Sequence, residues 1–200
     1  MDIQKFSVYL FLICVFLSLA ACGGPYYFDL YLEPVKADGH RKIAKVLLIE
    51  DINSNEAYWS QQIVYRHTPY QVDYFAYKQW AKRPGVIVKD AALHFFRDSG
   101  MFRRVIENHS SEEADLILKV NIFAMDLVRE NSSWYARLAL DFEVIDGRTE
   151  KVYITRSFDR KEKVKGKKAG YLPEKLSMIL REELIRVAEE ISSVLNRVDN

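Results

Sequence analysis

The feature that most constrains this chain is an apolar run placed directly before its last cysteine. Residues 8–21 read Val-Tyr-Leu-Phe-Leu-Ile-Cys-Val-Phe-Leu-Ser-Leu-Ala-Ala, after a short polar start carrying Lys5. A membrane span needs about 20 apolar residues, so this run is too short for a comfortable span and suits the core of a secretory leader. It ends in Leu19-Ala20-Ala21-Cys22-Gly23-Gly24. Small residues before a cut let an extended chain enter a peptidase groove, and the thiol that follows is a nucleophile. The chain has two cysteines, Cys14 and Cys22. Cys14 reads as a small apolar residue of the leader. Nothing beyond residue 22 can then form a disulfide or a cysteine metal site, and an exported domain of this kind must rely on its core alone.

The segment resembles the lipobox of bacterial lipoproteins at all four positions. The resemblance implies a signal peptide over residues 1–21, a lipidated cysteine with a short tether over 22–25, and a folded domain over 26–200. It implies diacylglycerol and N-acyl lipid, palmitate among the acyl chains, on Cys22. Several acyl chains make a stable membrane anchor. No other cofactor and no metal is expected. By analogy with sorting in enteric bacteria, Gly23 in place of an aspartate points to the periplasmic face of the outer membrane. Residues 23–25 reach roughly 10 Å when extended, which would hold the domain against its membrane.

A chain of 200 residues suffices for one domain with a real core. Its formal net charge is +1, and loss of residues 1–21 removes Asp2 and Lys5, which cancel. This balance gives no sign of a nucleic-acid partner.

Residues 26–32, Ile43–Ile49, Gln62–Arg66, 72–77 and 102–106 read as strands, and 53–57 as a turn. Pro84 suits the first position of a helix, and Ile87, Ala91, Ala92, Phe95 and Phe96 follow helical spacing up to a left-handed stop at Gly100. Residues 114–128 and 134–145 form the clearest strand pair. In the second, Ala136, Leu138, Leu140, Phe142 and Val144 alternate with Arg137, Asp141 and Glu143. Asp146-Gly147 predicts a tight hairpin, with Val152, Ile154 and Phe158 beyond it. From Leu176 to Val198 one apolar face recurs, predicting a closing amphipathic helix. The expected fold is a single α/β or α+β domain, with a mixed, largely antiparallel sheet packed with two main helices.

No catalytic constellation can be assembled. His40, His67, His94 and His109 lack metal-ligand spacing, and there is no Gly-x-Ser-x-Gly and no phosphate loop around Gly166-Lys167. Glu112-Glu113 and Glu189-Glu190 are adjacent, so their carboxylates point apart. Asn131-Ser132-Ser133 matches a glycosylation sequon. Two features remain. A basic stretch, with Arg160, Lys161, Lys163, Lys165, Lys167 and Lys168, suits either lipid phosphates or a solvated loop. An aromatic band, with Tyr58, Trp59, Tyr65, Tyr70, Tyr74, Phe75, Tyr77 and Trp80, divides between core and partner contact. Tyr65, Tyr70, Tyr74, Tyr77 and Trp80 are the partner candidates.

The same segment carries a second resemblance. Ile63-Val64-Tyr65-Arg66, Pro69-Tyr70, Tyr74, Tyr77, Trp80 and Pro84, followed by a helix, resemble the ABC-type transport auxiliary lipoproteins, the relatives of paraquat-inducible protein C. Tyr26-Tyr27, Ala114-Asp115-Leu116-Ile117-Leu118, Ser157-Phe158 and the final helix extend the likeness over 22–197. The resemblance implies a small α/β domain without enzymatic activity. It implies an adaptor in transport of phospholipid or other hydrophobic compounds, working with a mammalian-cell-entry protein and able to self-associate. The alternative is a lipoprotein that assembles another outer-membrane machine, for lipopolysaccharide insertion or secretion.

Overall fold

The computed structural model describes residues 24–34, 42–107 and 114–198. The order of elements is β1 (Tyr26–Phe28), β2 (Ile43–Ile49), β3 (Asn53–Ser54), a 3-10 turn (Glu56–Tyr58), β4 (Gln62–Arg66), β5 (Asp73–Trp80), α1 (Pro84–Asp98), β6 (Phe102–Glu107), β7 (Leu116–Glu130), β8 (Ser133–Asp146), β9 (Val152–Val164), a second 3-10 turn (Ala169–Tyr171) and α2 (Leu172–Val198). The fold is the expected single mixed α/β domain.

Strand β7 is the spine. One edge pairs along its length with β8, antiparallel. The other edge takes β2, β3 and β4 in succession, all parallel to it. Outward from β4 lie β5, antiparallel, and then β1, parallel to β5. β6 closes the far side beyond β2, and β9 lies outside β8.

The alternation read in β8 is realised. Ala136, Leu138, Leu140, Phe142 and Val144 are all buried. Residues 124–128 of β7 are buried on both faces, following a register shift between Ile122 and Ala124. α1 packs on β6, β2 and β3, and α2 on β8, β9 and β7. α2 is helical because its apolar positions recur every three or four residues, and Leu176, Ile179, Leu180, Leu184, Val187 and Ile191 of that stripe are buried. Each large aliphatic side chain so buried is worth about 1.5–3 kcal/mol relative to exposure.

Four local expectations are revised. Strand β1 ends at Phe28, because Leu30 N–H is taken by the Asp29 carboxylate at 2.9 Å. The chain over 29–34 then straps the two helices together. Tyr31 N–H donates to Ser177 Oγ (3.0 Å), while Leu30 and Leu32 pack on the core. The expected turn at 53–57 contains β3 and the first 3-10 turn. β5 runs on to Trp80, with a bulge against β4 between the pairs Gln62↔Gln79 and Val64↔Tyr74.

The Asp146-Gly147 turn is wider than expected. Asp146 accepts from the N–H groups of Arg148 (3.0 Å) and Thr149 (2.8 Å), and the left-handed residue is Glu150, at φ 58°. Gly147 serves another need. A Cβ there would lie 2.1 Å from the carbonyl oxygen of Ala114, where the turn crosses the start of β7. Gly147→Ala should therefore cost about 1–3 kcal/mol, the usual range for forced overpacking. Urea unfolding should show a lower midpoint at unchanged slope. Gly100 does take the expected left-handed conformation, at φ 58°. The two-residue hairpin joining β7 to β8 uses Asn131 and Ser132, both left-handed, so the sequon residues serve a turn.

Candidate interaction surface

The strand directions gather several loops at one end of the sheet. β4 and β7 run toward this end and β5 and β8 leave it, while β9 arrives there beside β8, with Val164 opposite Trp134. The end therefore holds the 67–72 turn, the 131–132 hairpin and the 165–168 connection. Side-chain contacts bind these loops together. Lys167 Nζ sits 3.6 Å above the Tyr65 ring and 3.3 Å from His67 Nε2. The His67 ring meets Trp134 edge-on at 5.1 Å, and Tyr65 packs against Phe75 at 4.8 Å. Cation–π and aromatic contacts of this kind each contribute about 0.5–1.5 kcal/mol. β1 is parallel to β5, so its leading end points the same way.

The aromatic band divides clearly. Trp80 is fully buried and opposes Phe28, so it belongs to the core and cannot itself touch a partner. Tyr58 is buried too. Its hydroxyl donates to Asp126 Oδ2 at 2.8 Å, and Arg66 Nε donates to the same oxygen at 2.8 Å. Burial, and then the Asp126 charge, push the Tyr58 hydroxyl well above the ordinary tyrosine range, so it stays a neutral donor. Tyr65 is half-buried and acts as the platform for Lys167. Tyr70 (97% exposed), Tyr77 (70%) and Tyr74 (41%) stay at the surface. Tyr27, which the sequence reading placed only in a strand, joins them. It lies opposite Gln79 on the same sheet face as Tyr77 and is 58% exposed. On the other face Lys78 Nζ caps the Tyr26 ring at 3.6 Å.

The basic stretch is not one loop. Residues up to Val164 belong to β9, alternating between the helix side and the outer face. Arg160 faces α2 and donates to Glu182 Oε2 (2.6 Å) and Glu183 Oε1 (3.3 Å). Lys161 pairs with Glu130 across the sheet, and Lys167 is held by Tyr65 and His67. Lys163, Lys165 and Lys168 remain exposed without a carboxylate partner among the described residues.

Sequence reasoning missed two buried charge clusters, the Asp126 group beside Tyr58 and Arg66 and a second on α2. Glu183 on α2 is fully buried. Its Oε2 accepts from Arg156 Nε (3.0 Å) and Nη2 (2.9 Å), and its Oε1 from Arg186 (2.7 Å) and Arg160 (3.3 Å). Arg156 also reaches Glu190 at 2.7 Å. The available signal was position, since Glu183 falls seven residues after Leu176, on the apolar stripe of the helix.

Among the described residues no catalytic arrangement emerges. A cleft of about 350 Å³ between the 29–34 strap and α1 is lined by Asp90, His94 and Asp98, and Asp90 is engaged by Lys82 at 2.6 Å. Among the described residues no group of His, Cys, Asp or Glu could hold a metal ion, and no helix is long and apolar enough to cross a membrane. Cys22, His40 and His109 lie outside the described residues.

A mixed sheet on a long spine, carrying two helices and a cluster of bound loops at one end, is a small α/β interaction domain in its architecture. The chain belongs to the family of ABC-type transport auxiliary lipoprotein components, whose sequence profile matches residues 30–191. Solved structures share the fold at low identity. A Xanthomonas campestris protein superposes with a TM-score of 0.76 at 14% identity, covering 87% of this chain and 99% of its own. An uncharacterised protein reaches 0.65 at 13% identity, covering 84% and 99%. A hypothetical protein of Chlamydia trachomatis reaches 0.51 at 10% identity, covering 74% and 98%. No curated protein matches the chain in sequence.

Proposed function

We propose that this protein is a non-catalytic adaptor of an ABC-type transport system, held at the periplasmic face of the outer membrane by lipid on Cys22. It docks a mammalian-cell-entry protein of a system that moves phospholipid or another hydrophobic compound, and further copies of the chain can associate at that site. The observation that carries this reading is membership of the auxiliary lipoprotein family over residues 30–191. The exposed flank of Tyr27 and Tyr77 supports it, because tyrosines offer large, rigid contact area with a polar tip.

A crosslinking pull-down of the acylated protein from envelopes tests the reading. Truncating an aromatic hot spot costs about 2 kcal/mol, or roughly thirtyfold in Kd. Tyr77→Ala should therefore lose most of the recovered mammalian-cell-entry protein while keeping the wild-type unfolding midpoint. Recovery of a lipopolysaccharide-insertion or secretion complex instead would support the alternative machine.

A further inference from the structure

We infer that the end of the sheet formed by the 67–72 turn and the 165–168 connection is a lipid-contacting face, which lies on the phosphate layer of the membrane that carries the anchor. The inference rests on the proposed acylation of Cys22 and deepens it, by saying how the domain is oriented once anchored.

Three observations converge. The first is reach. From Cys22 to Tyr26 the chain can extend at most about 14 Å. β1 meets β5 at Lys78, five residues from the start of β5 at Asp73, which is at most about 16 Å of strand. β1 also points its leading end the same way as β5. A fully extended tether therefore brings the lipidated residue close to the level of Asp73, at the base of the 67–72 turn, and cannot carry it past the domain.

The second is charge. Lys163, Lys165 and Lys168 are exposed at this end, and Lys167 is fastened there by Tyr65 and His67. Among the described carboxylates near them, Glu130 is engaged by Lys161, Glu162 lies 3.7 Å from Arg160, and Asp73 opens β5. Lysines near an anionic lipid surface are attracted individually, within a Debye length.

The third is the apolar tip. Tyr70 is 97% exposed and Val72 40% exposed, in the turn that joins β4 to β5 at this end. A fully exposed tyrosine beside lysines matches the amphipathic chemistry of the headgroup layer, with the ring at the acyl boundary and the hydroxyl in water. The Tyr27–Tyr77 flank is set back along β5 and stays clear for a protein partner.

A single introduced cysteine reads this out, because the chain has no cysteine after Cys22. The acylated Tyr70→Cys protein carries an environment-sensitive fluorophore and is reconstituted in vesicles of phosphatidylethanolamine and phosphatidylglycerol. Ala44→Cys, exposed at the start of β2, is the control at the opposite end of the sheet. The expected result is blue-shifted emission at position 70, several-fold protection from an aqueous quencher, and quenching by lipid-borne bromine, all absent at position 44. Lys165→Glu with Lys168→Glu should reduce that protection without releasing the protein. Equal aqueous quenching at 70 and 44 in a vesicle-bound protein would overturn the inference and leave the anchor standing. Protection that appears only after envelope proteins are added would overturn it in favour of a protein contact. Failure of the unmodified protein to bind vesicles at all would refute the anchor, and the inference with it.

Discussion

Glu183→Ala should destabilise the domain by about 3–5 kcal/mol, the cost of removing one partner from a buried ion pair. The loss is large because the carboxylate is fully buried and satisfies groups from two elements. Arg156 and Arg160 come from β9, and Arg186 from the next turn of α2. Without Glu183, Arg156 keeps Glu190 and Arg160 keeps Glu182, both at the rim. Their inner N–H groups would then face a cavity. Glu183→Gln keeps the volume but supplies only one oxygen, so it should fall between wild type and alanine. Thermal unfolding and urea titration of all three proteins check this order. A Glu183→Ala midpoint within experimental error of wild type would show that the arginines find other acceptors. A domain with a stability of 5–15 kcal/mol would lose a large share of it, so low steady-state abundance in cells should accompany the change.

Cys22→Ser should abolish acylation, leaving the uncut leader in place of the lipid anchor. A hydroxyl is a far weaker nucleophile than a thiol, so no thioether to diacylglycerol forms and no acyl chain is added. Each buried CH₂ of an acyl chain contributes about 0.8 kcal/mol to membrane binding, so losing several chains removes the whole of the lipid anchor's contribution. Fractionation of cells expressing the wild-type protein should place it in the membrane pellet, with an intact mass showing the lipid. The serine variant should run as an unprocessed, unacylated precursor. A wild-type mass without lipid would overturn the anchor reading, and with it the orientation inferred for the sheet end. The family assignment over residues 30–191 would stand unchanged.

Both effects depend on how local pattern and three-dimensional packing divide the information in this chain. Repetition made β8 and α2 legible, since period-two alternation from Ala136 to Val144 and three-to-four spacing from Leu176 onward each leave one apolar face to bury. The helix bounds at Pro84 and Gly100 were legible because each residue has a backbone restriction of its own. Gly147 was legible as a turn for the wrong reason. Its small size answers the approach of Ala114, a contact between positions more than thirty residues apart.

The candidate surface was legible only as an inventory. The sequence lists the tyrosines and lysines but carries no sign of which neighbours cover them. Trp80 looks like its band-mates and is the most enclosed of them, fully buried at the end of β5 where that strand pairs with Phe28 of β1. The basic stretch looks like one loop until β8 pairs with it through Val164 and α2 supplies Glu182 and Glu183 to Arg160. What the sequence by itself determined is whatever depends on residues near one another along the chain: the helices, the long strands and most turn positions. Only the tertiary structure decided which charges are buried and which tyrosines are free, and that Tyr70 shares one end with Lys163, Lys165 and Lys168. Those outcomes depend on strand order and direction, and parallel pairing along β7 joins segments whose separation in sequence leaves no local trace.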